Sequence, residues 1–172
     1  MPTPSATDRP AKKVAYGALF TALALIFSYI ESLLPPFVPV PGIKLGLANA
    51  AVTLALYLLG ARQAICINVA RIALAALLFG NPMAMLYSLC GAALSMASIA
   101  LLAKKSALSP VALCAASGTA HNIGQLICAM AVLHSVGLVY YLPALLLGGV
   151  LAGMSVGLIC APLIVRIRKA KK

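Results

Sequence analysis

Polar side chains are few along this 172-residue chain, and the types and spacing of those inside its apolar runs point to capture of an anion. Arg71 lies at the middle of such a run, and Asn68, three residues earlier, shares its helical face. Glu31 follows Ser28 at the same spacing, and Asn49 precedes Thr53 by one helical turn. Ser117, His121 and Gln125 form a further stripe, with Asn122 on the adjoining face. An ionisable group inside an apolar run is costly unless it is matched, so each of these residues is a functional candidate. Within reach of the outer half of the spans, where most of these residues map, two cations, Arg71 and Lys44, stand against one anion, Glu31. One uncompensated cation favours an anionic ligand group: a carboxylate, a phosphate or a diphosphate. A guanidinium suits such groups because its planar fork donates two parallel hydrogen bonds. The candidate binding set is therefore Glu31, Lys44, Asn49, Asn68, Arg71, His121 and Gln125. A second reading stays open beside it, in which Arg71 and Glu31 form an ion pair that orders the fold while Lys44 is solvated. The Asn122 and Gln125 amides are equally explained by bonds to neighbouring helices.

These residues must be positioned by membrane-spanning helices. The chain is 63% hydrophobic and 9% charged, against roughly 25% charged in soluble domains. Six apolar runs fill it: Val14–Leu34, Leu45–Ala61, Gln63–Phe79, Met83–Ala103, Pro110–Leu133 and Leu142–Val165. Each is 17 to 24 residues long, and about 20 residues cross a bilayer core. The expected architecture is an all-α, six-helix transmembrane bundle over 14–165. Residues 1–13 and 166–172 form hydrophilic tails. No cleavage site follows the first run, which reads as a permanent span rather than a signal peptide.

Net charge is +11, and 11 of the 13 basic residues fall on one side when the spans are counted alternately. By the positive-inside rule both termini are cytoplasmic, with the tails close to anionic lipid head groups. No basic recognition helix or aromatic platform suggests nucleic acid. Five cysteines, all within apolar runs and without a CxxC pair, indicate neither a disulfide framework nor a metal site. Four prolines between Pro35 and Pro41 mark a stiff outer loop. Tyr16 and Tyr57 are placed near the inner boundary, and Tyr140 and Tyr141 near the outer one. Gly149, Gly153 and Gly157 share one face of the last run and permit close helix approach, within the bundle rather than between copies. Ala18 and Ala22 make a smaller ridge on the first run.

The stretch Pro41-Gly42-Ile43-Lys44-Leu45-Gly46-Leu47-Ala48-Asn49 resembles the signature of a bacterial inner-membrane family. That family is known both as Gx transporter proteins and as heptaprenyl diphosphate synthase component I. Length, the proline-rich first loop and Asn68-Val69-Ala70-Arg71 extend the resemblance over nearly the whole chain. The architecture is also similar to the substrate-binding S components of energy-coupling-factor transporters. That second resemblance implies uptake of a small anionic solute, with Ala18 and Ala22 docking on a coupling transmembrane subunit driven by separate ATPases. The first implies an accessory subunit of isoprenoid or quinone metabolism. Catalysis is not expected in either case. Prenyl elongation needs Mg²⁺ held by clustered carboxylates, and this chain has one Asp and one Glu. It also lacks a nucleotide-binding loop, and no cofactor is expected.

Overall fold

A computed structural model describes residues 8–33, 47–102 and 109–170. Lys44, the proline-rich loop and the Lys104-Lys105-Ser106 turn lie outside the described residues. Six α-helices follow in order: α1 (Asp8–Leu33), α2 (Leu47–Leu59), α3 (Ala61–Leu78), α4 (Pro82–Leu102), α5 (Pro110–Leu133) and α6 (Leu142–Ala170). A short 3-10 helix, Val136–Tyr141, precedes α6. There is no strand among the described residues.

Local chemistry sets the helix ends. Gly60 turns α2 into α3 with φ of 92°, a left-handed conformation that strains any residue with a Cβ. Asn81 accepts from the Ala84 N–H at 2.7 Å and Pro82 opens α4. Ser109 likewise accepts from the Ala112 N–H at 3.2 Å ahead of Pro110. Each pairs a side-chain N-cap with a proline whose missing N–H costs nothing in the first turn. His134 closes α5 with φ of 47°, and its N–H donates to the Met130 carbonyl.

The helices form two triplets. α1, α2 and α3 pack against one another, while α5 packs between α4 and α6. The triplets meet where α2 touches α6 and α3 touches α4. Close packing within the second triplet depends on glycine. A Cβ at Gly149 would lie 2.7 Å from Thr119 Cα, and one at Gly157 would lie 2.7 Å from Val111 Cα. At Gly153 it would run into the Cys114 carbonyl and Ala115 Cα. Gly91 of α4 and Gly124 of α5 meet in the same way, with His121 O and Cys90 O each 2.8 Å from the respective added carbon. The last-run glycines are thus used inside the bundle, between α6 and α5.

Among the described residues, four segments are long and apolar enough to cross a membrane: Ala11–Leu33, Ala61–Leu78, Pro82–Leu102 and Val136–Pro162. With its large exposed apolar surface, from Val14 on α1 to Ile159 on α6, the chain is a multi-pass membrane protein. The expected six spans are not all of this kind. α2 has 13 residues, which at 1.5 Å per residue is about 20 Å and short of the ~30 Å hydrocarbon core. α5 has 24 residues, but its polar stripe makes it less apolar. It tolerates that stripe because neighbouring helices cover it; its buried residues include Ser117, His121, Asn122 and Gln125. The outer helices extend beyond the expected runs, α1 beginning at Asp8 and α6 reaching Ala170. Tyr57, partly buried, packs against Cys114, Val156 and Cys160.

Candidate functional site

Arg71 is 7% exposed, and its guanidinium ties together the first triplet. Nε and Nη2 donate to Asn68 Oδ1 at 3.1 and 2.8 Å. Nη1 donates to Ser28 Oγ of α1 at 3.3 Å, and Nη2 to Asn49 Oδ1 of α2 at 3.4 Å. The Asn68 contact follows from spacing along one helix, while Ser28 and Asn49 reach Arg71 through the packing of α1 and α2 on α3. Asn68 is one turn before Arg71, and Ser28 and Glu31 are one turn apart on α1, both nearly fully buried. Glu31 acts on Arg71 through its charge. The hydrogen-bond acceptors named here are amides and a hydroxyl, which aim the guanidinium without cancelling its charge. Arg71 is therefore more than half of a simple ion pair.

Between the triplets lies a cavity whose space, including its opening, amounts to about 550 Å³. Glu31, Asn49 and Arg71 line it from the first triplet, with Ser117, His121 and Asn122 among the residues facing them from the second. A smaller adjoining recess shares Asn49, Thr53 and Ser117 and reaches Asn68 and Ser95. Ser95 and Ser117 share a 2.7 Å hydrogen bond that joins α4 to α5. Asn122 donates to the Leu145 carbonyl of α6 at 2.9 Å, a bond that fixes α5 to α6.

Of the seven expected binding residues, Glu31, Asn49, Arg71 and His121 converge on the main cavity, and Asn68 holds Arg71 from behind. Gln125 lines neither cavity. It is buried one turn beyond His121, against α4 near Gly91, and its Oε1 has no hydrogen-bond partner there. Lys44 is outside the described residues. Ala18 and Ala22 are exposed on α1 and line neither of these two cavities. Among the described residues, no group of three His, Cys, Asp or Glu could hold a metal ion.

Sequence reasoning missed the contribution of α6. Gly149, Ala152, Gly153 and Val156 line the cavity as well as packing on α5. Their small size leaves room beside Arg71, a consequence that a glycine stripe read only for packing does not disclose. Ser88 of α4 was also missed, since one serine in a membrane helix carries no distinguishing signal.

A polar cavity with an aimed cation can hold an anionic head group. A search of curated proteins and a search of solved structures each gave no match. Residues 20–163, which contain every side chain of the cavity, match the family described as heptaprenyl diphosphate synthase component I, and the chain belongs to that family.

Proposed function

We propose that this chain is the non-catalytic membrane component of a heptaprenyl diphosphate synthase, holding the anionic head group of an isoprenoid diphosphate at Arg71. The observation that carries the reading is a buried guanidinium, aimed by neutral acceptors, beside a polar cavity in a member of this family. The polar lining suits the head group, and the isoprenoid tail would extend towards lipid along the apolar helix faces. With one Asp and one Glu in the chain, the chemistry of elongation belongs to the other component.

The test is co-expression with the soluble prenyltransferase component. The two should co-purify in mild detergent, and only the soluble component should elongate an allylic diphosphate with Mg²⁺. Elongation by the membrane chain alone would contradict the proposal, as would failure of the pair to associate.

A second reading, uptake of a small anionic solute with coupling subunits and ATPases, is favoured by one feature. Ala18 and Ala22 are exposed on α1, open to a docking helix. Co-purification with a coupling subunit, lost when both are changed to Leu, would select it.

In either reading all six helices lie in the membrane, α2 shielded in the bundle and α5 lined by protein, with both termini cytoplasmic. The distribution of 11 basic residues supports that orientation. On a cysteine-free background, the Ser106→Cys variant should resist an impermeant thiol reagent added to intact cells. Labelling from outside would invert the topology.

A further inference from the structure

We infer that an anion entering the Arg71 cavity brings a proton with it, taken up at His121. The inference rests on the anion-binding reading above and concerns how the same cavity keeps its charge balanced.

Three of the lining side chains carry a charge or can take up a proton, and they come from three helices: Glu31 of α1, Arg71 of α3 and His121 of α5. α2 contributes Asn49 and Thr53, α4 contributes Ser88, and α6 contributes only small or apolar residues. Cys114 is the remaining titratable group in the lining. On the α4 face against His121, around Gly91, the nearest titratable groups in sequence are Tyr87 and Cys90, and neither lines the cavity. Cys128 lies further along α5, in a cluster with Tyr87.

With His121 neutral, the charges of Arg71 and Glu31 sum to zero. An incoming anion would leave the cavity negative, and uncompensated charge away from water costs several kcal/mol. Protonating His121 adds the missing positive charge. Imidazole is the group suited to this, since its ordinary pKa of about 6.5 lets it gain or lose a proton near neutrality. Glu31 and His121 approach the cavity from opposite triplets, and neither is without a partner in this structure. A proton at His121 would therefore be shared between Glu31, which is already present, and the arriving anion. Small anions from either function proposed above would obey the same balance.

Calorimetric titration of the full-length protein in lipid nanodiscs tests this, with geranyl diphosphate as probe. Runs near pH 7 in two buffers of different ionisation enthalpy give the protons taken up per ligand bound. The ligand's own protonation is common to all variants and cancels between them. Wild-type protein should take up more protons than His121→Gln, by a fraction approaching one. Its affinity should fall as pH rises through the imidazole range, by up to roughly tenfold per unit, while His121→Gln shows a flatter profile. Glu31→Gln serves as a second variant, should His121→Gln fold poorly. It leaves Arg71 unopposed, so it should bind more tightly and with less proton uptake. Binding with the same proton uptake in wild type and both variants would overturn the inference and leave the anion site standing. Absence of binding at any pH would remove the anion site itself, and this inference with it.

Discussion

Arg71→Met should destabilise the folded protein by about 3–5 kcal/mol, the usual cost of removing one member of a buried charged network. The side chain bonds to Ser28, Asn49 and Asn68 on three different helices, so its loss loosens the whole first triplet. It also leaves Glu31, 6% exposed, without the cation that acts on it. Glu31→Gln added to Arg71→Met should recover part of the loss, because a neutral amide is cheaper to bury than a carboxylate. Recovery should be incomplete, since Asn68, Asn49 and Ser28 still lack their donor. Chemical unfolding of both single variants and the double gives the coupling directly. Full recovery would mean that Arg71 serves only to neutralise Glu31. No destabilisation by Arg71→Met would mean that the hydrogen-bond network is dispensable.

Gly153→Val should be at least as damaging. An added carbon at this position meets the Cys114 carbonyl and Ala115 Cα, which are backbone atoms and cannot rotate away. Overpacking typically costs 1–3 kcal/mol where side chains can adjust. Here α6 and α5 must separate instead, which also deforms the cavity that Gly153 lines. The expected outcome is little or no monodisperse protein on size-exclusion chromatography. Gly148→Ala is the matched control, because nothing lies within 4 Å of its added carbon. If Gly153→Val instead gave a folded chain of altered oligomeric state, the stripe would be a contact between copies.

Much of this arrangement is legible in the sequence, for reasons that differ by residue. The Asn68–Arg71 contact follows from i, i+3 geometry on one helix, and the run lengths locate α3 and α4 to within a residue or two. What fails depends on neighbours in space. Gln125 shares a stripe with Ser117 and His121, yet the close α4–α5 approach at Gly91 covers it and keeps it out of the cavity. The packing of Tyr57 on Val156 and Cys160 of α6 is likewise not visible in its sequence position. The 13-residue length of α2 is not visible in a 17-residue apolar run, because hydropathy does not mark where a helix ends. Likewise, α5 looks like any other apolar run in the sequence, and only its burial shows how its many polar groups are accommodated.

Direct binding of geranyl diphosphate to the purified protein in nanodiscs, compared with Arg71→Lys, tests anion recognition at its centre. Lysine keeps the positive charge but loses the planar fork and the Nε–H bond to Asn68. Saturable binding should be seen in wild type and weakened roughly 10- to 100-fold in Arg71→Lys, the worth of one or two charge-assisted hydrogen bonds. Equal affinity in the two proteins, or no binding to wild type, would contradict an anion site at Arg71.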